Sequence, residues 1–340
     1  MTRSNDHPKV ILGTMTFGLD TTSFETSVVR VRGTQNIKPF MDVFKAHGHE
    51  EVDTARIYGN GDTELALGQL PMESLKIATK VWPTIPGAFE PDNLKQQFKE
   101  SLTALKATKV DTFYLHMVDD TTPFEKTVKA VDELYREGLF NRFGLSNFAA
   151  WQVVLVHELC KQHGYILPTV YQGMYNAITR GVQSELLPCL KMLNISFYAY
   201  NPIAGGLLSG KHNFEGVAEG GRFDTKSQFG KLYRDLYWNG LFFEAIKNVE
   251  KSAKEHGLTL IESALRWLKH HSGLGPNDGI VVGASSLRHL EDNLEDLEKG
   301  PLPKQVLDAI DGAWEHVKVA CPPYYWSSGS GSSITNALEK

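Results

Sequence analysis

The sequence predicts an α/β fold, a single closed parallel (β/α)8 barrel over residues 1–326. Three observations carry that reading. Eight short runs rich in β-branched and aromatic residues are each bounded by turn signals. Amphipathic stretches separate them at roughly 30-residue steps, the rhythm of alternating strands and helices. No interdomain linker interrupts the alternation.

The strands, in order, are VILGT (10–14), EVDTA (51–55), LKIATKV (75–81), VDTFYLHM (110–117), NRFGLSN (141–147), TVYQGMYN (169–176), ISFYAYNP (195–202) and GIVVGA (279–284). Between the third and fourth, residues 92–107 place Leu94, Phe98, Leu102 and Leu105 at helical spacing, and Pro91 precedes them. Residues 122–138 open with Thr-Pro and close at Gly138, and residues 149–164 end on a glycine too. RHLEDNLEDL follows the eighth strand as a helix. Residues 301–316 read as one more helix outside the eight repeats. The longest insertion follows strand seven: residues 203–238 are Gly-rich, then basic and aromatic. The last stretch, 327–340, is low in apolar content and reads as a disordered tail.

The chain has 340 residues, 41% hydrophobic and 22% charged, with ample length for a full core. A formal net charge of -5 without a basic block argues against nucleic acid or an anionic membrane as the main partner. No apolar run approaches the ~18 residues of a bilayer span. The polar start MTRSNDHPKV lacks the core of a signal peptide. Cys160, Cys189 and Cys321 are far apart and form no CxxC, which suits a reducing, cytoplasmic setting. Nothing in the chain calls for a metal.

In such a barrel the chemistry sits where strands end. The second strand offers Asp53, with Tyr58 at the turn beyond. The third ends in Lys80 and the fourth in His116. A lone lysine after a strand is usually solvated, and a lone histidine is usually a satisfied rim residue. Four polar groups on three successive strand ends are harder to dismiss, because closure sets those ends side by side. A phenol loses its proton near pH ~10. A neighbouring cation, Lys80, is expected to lower that value, with Asp53 as the cation's partner. His116 would orient a carbonyl oxygen. Together the set describes protonation of a carbonyl that is gaining electrons.

The stretches LGTMTFG, EVDTARIYGNG, IATK, FYLH, GLSN, YQGMYN and NPIAGGLLSGK resemble the aldo-keto reductases. YNAITRGVQSELLPCL and FYAYNPIAGGLLSGK are most similar to the aflatoxin-aldehyde reductase branch. The resemblance covers about residues 9 to 326. It implies Asp53, Tyr58, Lys80 and His116 as a catalytic tetrad, NADPH as electron source, and a small carbonyl compound as substrate. It also implies a homodimer, since relatives are often dimers.

No GxGxxG follows the first strand, so the cofactor needs another seat. Ser146 and Asn147, ending strand five, and Gln172 in strand six have the groups to bond a carboxamide, and the resemblance gives them that role beside Asp53. Tyr200 either packs in the core or stacks on the nicotinamide ring. The resemblance wraps the diphosphate with Asn201, Pro202, Ile203, Ala204, Gly205, Gly206, Leu207, Leu208, Ser209, Gly210 and Lys211. The run from Gly205 to Lys211 also fits G-x-x-x-x-G-K. A nucleotide-hydrolysing loop then needs Ser or Thr, and position 212 is His. After strand eight, Gly283, Ser285, Ser286 and Arg288 lead into a helix whose start suits an anion. The bland alternative is a serine cap with a solvated arginine. The resemblance makes this corner the grip on the 2′-phosphate, with Arg288 selecting NADPH and Asn293 beside the adenine.

Trp82, Tyr233 and Trp326 are candidates to wall the mouth with Tyr58 and His116, although any one aromatic is more often packing. Arg222 and Arg234 are candidate anion contacts, the first toward the cofactor and the second toward the substrate. Relatives often carry an arginine near the place of Trp326, suited to acidic aldehydes. Trp326 puts such a substrate in doubt. Residues 19–35, after LGTMTFG, are longer than usual for the family and reshape the mouth. Two other functions compete. One is a cofactor-binding regulatory protein on the same barrel, like the potassium-channel beta subunits. The other is an isomerase using Lys80 and His116, which leaves the Gly-rich stretch without a purpose.

Overall fold

The computed structural model describes residues 6–22, 28–216, 221–226 and 229–326. The tail expected at 327–340 lies outside them. The expected barrel is present. Its strands are β1 (Lys9–Gly13), β2 (Glu51–Asp53), β3 (Lys76–Val81), β4 (Val110–Leu115), β5 (Phe140–Ser146), β6 (Pro168–Met174), β7 (Ser196–Tyr200) and β8 (Gly279–Gly283). All pair in parallel in chain order, and β8 closes on β1. A small parallel ladder, Phe17–Gly18 with Val31–Arg32, sits in the long segment after β1.

The helices are α1 (Thr34–Ala46), α2 (Asp62–Leu67), α3 (Pro91–Ala104), α4 (Phe124–Arg136), α5 (Ala150–His163) and α6 (Leu186–Met192). After β7 come α7 (Gly230–Tyr237), α8 (Gly240–Glu255) and α9 (Leu260–His270), and after β8 come α10 (Leu287–Glu298) and α11 (Lys304–Val317). Every barrel strand is thus followed by a helix. The stretch read as one long loop after strand seven contains α7, and α8 packs on α11. These two helices carry most of the extra architecture. None of the described helices is long and apolar enough to cross a membrane.

Two apolar layers hold the barrel. The larger lies between strands and helices. The smaller fills the barrel itself: Ile11, Tyr114, Val170, Tyr198 and Val281. Gly144 makes room for it, because a Cβ there would come within 2.3 Å of the Tyr114 ring. This inner plug separates two polar ends. At the N-terminal end Arg142 bonds Asp111 at 2.7 Å, Glu51 at 3.0 Å and the Tyr198 hydroxyl at 3.1 Å. Burial would raise both carboxyls, yet the Arg142 charge and the hydrogen bonds they accept together outweigh it and hold them below the usual carboxylate range. Arg142→Met leaves Asp111 without its cation and Glu51 with Lys9 alone, and is expected to cost about 3 kcal/mol of stability at neutral pH. A lowered carboxyl pKa stabilises above the ordinary range, and that contribution fades as pH falls through the lowered values. The gap between wild type and variant should therefore shrink in acid. Urea titrations at neutral and acid pH check both statements.

At the opposite end the register sets the strand ends level. Gly13 lies opposite both Asp53 and Gly283, Lys80 opposite Tyr114, and Ser146 opposite Gln172.

Candidate active site

Asp53 closes β2 and Lys80 lies near the end of β3, both buried. Lys80 Nζ donates to both carboxylate oxygens of Asp53 at 2.7 Å and to the Thr54 carbonyl at 2.9 Å. Gln172 Nε2 donates to Asp53 Oδ1 at 2.8 Å. Each charge is therefore paired and further hydrogen-bonded, the condition for keeping ions out of water. Burial lowers the Lys80 ammonium below its ordinary value, and the Asp53 charge and Glu64 act against that fall.

Tyr58 opens a 3-10 turn, Tyr58–Gly61, in which Gly59, Asn60 and Gly61 all have positive φ. That left-handed run bends the chain sharply after the strand end, which glycine and asparagine tolerate. Lys80 Nζ lies 5.2 Å from the centre of the Tyr58 ring. His116 follows β4, its ring edge-on to Tyr58 at 5.9 Å and to Trp82 at 4.7 Å. The four residues meet as the sequence expected.

One electrostatic expectation is corrected. Lys80 does not bring the Tyr58 phenol below its ordinary value in this structure. Burial drives the phenol well above 10, and the Asp53 charge adds to the rise. The ammonium is matched by a carboxylate at 2.7 Å, so Tyr58 faces a neutralised pair rather than a bare cation. His116 is pushed well below 6.5, by burial first and by the Lys80 charge second. It is a neutral imidazole at physiological pH, and its Nδ1 is buried without a hydrogen-bond partner among the described residues.

Asp53, Tyr58 and His116 form the floor of one cavity of about 880 Å³. Ser146, Asn147, Gln172 and Tyr200 line its next section. Asn147, at φ 61°, donates to the His116 carbonyl at 2.9 Å and accepts the Tyr200 hydroxyl at 2.8 Å. Trp326 lines the same wall, its backbone N–H bonded to the Asn147 carbonyl at 2.9 Å. Trp82 and Tyr233 face the cavity too.

From there the cavity runs under the stretch after β7. Asn201, Pro202, Ile203, Gly205, Gly206, Ser209, Lys211 and Arg222 line it, whereas Ala204, Leu207, Leu208 and Gly210 do not. Ala204, Leu207 and Leu208 are buried in the core and anchor the turn. Gly205 is required, since a Cβ would strike the Tyr233 ring at 2.5 Å. The turn is 3-10, broken at the glycines, and a strand–loop–helix phosphate loop is absent here. Arg222 bonds Asn201 Oδ1 and the Tyr233 hydroxyl, both at 3.2 Å. Arg234 is turned away. It donates to the Phe223 carbonyl at 2.8 Å and lies over the Trp238 ring at 4.4 Å, which corrects its assignment to the substrate wall.

At the far end Gly283, Ser285 and Asn293 line the cavity. Ser286 caps α10, accepting the His289 N–H at 3.2 Å. The Arg288 side chain is 86% exposed, 3.7 Å from Asp292, and outside the cavity lining. His289, Lys299, Thr16 and Arg30 line the cavity and were not singled out from sequence. For Arg30 the only sequence signal is the unusual length of residues 19–35.

A dinucleotide fits this donor set. One end offers amides and hydroxyls suited to a carboxamide, and the middle offers a glycine backbone beside Lys211 and Arg222. At Gly206 a Cβ would meet nothing within 4 Å, so the backbone lies open. No group of metal-binding side chains occurs among the described residues.

The profile described as "Aldo/keto reductase family" matches residues 9–315. An aldo-keto reductase of Pseudocercospora fijiensis is 45% identical over 84% of this chain and 99% of its own length. Human aldo-keto reductase family 7 member A3 is 44% identical over 83% of this chain and 89% of its own. Mouse aflatoxin B1 aldehyde reductase member 2 is 42% identical over 94% of this chain and 88% of its own.

Proposed function

The chain belongs to the aldo/keto reductase family and is an oxidoreductase, and from that premise we propose that it reduces aldehydes or ketones to alcohols with NADPH. One observation carries the reading. The Asp53–Lys80 pair lies beneath Tyr58 and His116 at the floor of a cavity that continues to a glycine-rich turn.

When bound, NADPH supplies the hydride. Ser146, Asn147 and Gln172 would hold its carboxamide, Tyr200 would pack on the ring, and the Asn201–Lys211 stretch with Arg222 would take the diphosphate. The Tyr58 hydroxyl gives its proton to the carbonyl oxygen as that oxygen gains negative charge. A high phenol pKa keeps the proton in place until then, and an alkoxide is basic enough to take it. Neutral His116 orients the oxygen without competing as an acid. The Asp53–Lys80 pair holds the tyrosine's surroundings fixed and dry.

Trp82 and Trp326 give the substrate end an aromatic wall, and Arg234 leaves it. That supports neutral carbonyl compounds. Relatives named for aflatoxin B1 aldehyde support an aldehyde substrate, and dialdehydes are included in the proposed class. The three cysteines are free thiols, which supports a cytoplasmic setting. Turnover of 4-nitrobenzaldehyde with NADPH tests the function. Binding of NADPH without turnover would point instead to a regulatory protein on the same barrel.

Ser285, Ser286 and Arg288 at the start of α10 are the proposed seat of the 2′-phosphate. Because Arg288 is solvated, its contribution lies at the weak end for charged hydrogen bonds. Arg288→Ala is expected to weaken NADPH binding about tenfold and leave NADH binding unchanged. Fluorescence titration with both cofactors measures this, and equal weakening of the two would remove Arg288 from the phosphate site.

A further inference from the structure

Glu64, on α2, lies outside the cavity lining and meets the site above only through its charge on Lys80, yet it is a fully buried charged residue. Its Oε1 accepts the Thr79 hydroxyl at 2.6 Å, and its Oε2 accepts Arg56 Nη1 at 3.2 Å. Thr79 immediately precedes Lys80 on β3. Successive strand residues face opposite sides, so Glu64 grips from outside the strand that presents the ammonium inside. Arg56 precedes Tyr58 by two residues, and its backbone N–H donates to the Lys80 carbonyl at 3.0 Å. Its guanidinium also fills the space at Gly61, where a Cβ would meet Nη1 at 2.5 Å. The turn carrying Tyr58 is thus seated on Arg56.

A buried carboxylate is an expensive way to fill space, and apolar packing often serves stability as well. Burial raises the Glu64 carboxyl above its ordinary range, with Thr79 and Arg56 acting against the rise. What the carboxylate adds is direction: it ties two specific donors, one on each side of the gap between the second and third strand ends.

We propose that Glu64 is a positioning residue that fixes Tyr58 relative to Lys80 by bridging Arg56 and Thr79. The proposal rests on the role given to Tyr58 above. Glu64 lies outside the cavity lining, so it acts through Arg56 and Thr79 and, at longer range, through the charge it places near Lys80. Misplacing a reacting group by about 1 Å costs on the order of 100-fold.

The test is a double-mutant cycle on the full chain, with NADPH and 4-nitrobenzaldehyde. Glu64→Gln is expected to lower kcat by about 10- to 100-fold, with KM and the NADPH Kd within about twofold of wild type. In the Tyr58→Phe background, where no phenolic proton remains to be placed, the same change should alter kcat by less than about twofold. A loose fold would instead depress both backgrounds alike. An unchanged kcat in the single variant, or an equal factor on both backgrounds, overturns the proposal. Thr79→Val removes one partner of Glu64 isosterically and carries the same comparison should Glu64→Gln not fold. If Tyr58→Phe itself turns over like wild type, the functional reading fails first, and the cycle shows that separately.

Discussion

Tyr58→Phe is expected to lower kcat by ~10²–10⁴, the contribution of one well-placed general acid, while NADPH binding stays near wild type. The structure gives reasons for both halves. The phenol keeps its proton at neutral pH: burial raises it, and the Asp53 charge raises it further. His116 is already neutral and is held so by burial and by Lys80, so it is a weak substitute as proton donor. The ring of Tyr58 packs edge-on against His116, and phenylalanine keeps that contact. The cofactor groups assigned to Ser146, Asn147, Gln172 and the Asn201–Lys211 stretch are untouched. Steady-state kinetics with an aldehyde, together with a cofactor titration, checks it. A variant with near-native kcat would remove Tyr58 from the acid's place.

Lys80→Met is the second large effect, and it strikes both activity and stability. The ammonium holds both oxygens of Asp53 at 2.7 Å in a site closed to water. Removing it strands a buried carboxylate, which is expected to cost about 3–5 kcal/mol. The stranded charge also raises the Tyr58 phenol further and makes it a poorer donor, so kcat should fall sharply as well. Asp53→Asn alone leaves a buried ammonium with fewer partners. In the double variant neither charge remains, so the stability losses should be strongly non-additive. Urea unfolding of the two single variants and the pair measures the coupling. Additive losses would mean that Asp53 and Lys80 are not a unit.

All eight strands, the C-terminal helix and the meeting of Asp53, Tyr58, Lys80 and His116 at one end of the barrel were legible in the sequence, because each rests on local pattern. Apolar runs such as GIVVGA name a buried strand by composition. A polar residue closing such a run, as Asp53 and His116 do, marks a strand end that faces the mouth. The closed parallel register then brings those ends level, as the pairing of Ser146 with Gln172 and of Gly13 with Asp53 records. Helix α7 hid inside a stretch whose glycines and aromatics carry no clean period.

The tertiary structure alone decided how charges and long side chains are used. The sequence set Lys80 near Tyr58 and paired it with Asp53, but could not say that burial and that pairing would leave the phenol raised rather than lowered. That depends on two hydrogen bonds of 2.7 Å and on exclusion of water, and the direction of a pKa shift is set by those terms together. Arg234 and Arg288 share a residue type with Arg222 and Arg30, yet the first stacks on Trp238, the second is solvated, and the latter two line the cavity. A flexible four-torsion side chain takes its direction from neighbours distant in sequence, and local pattern holds no record of them. Glu64 is the sharpest case: no local pattern marks it, and only the tertiary structure turns it inward to Thr79 and Arg56.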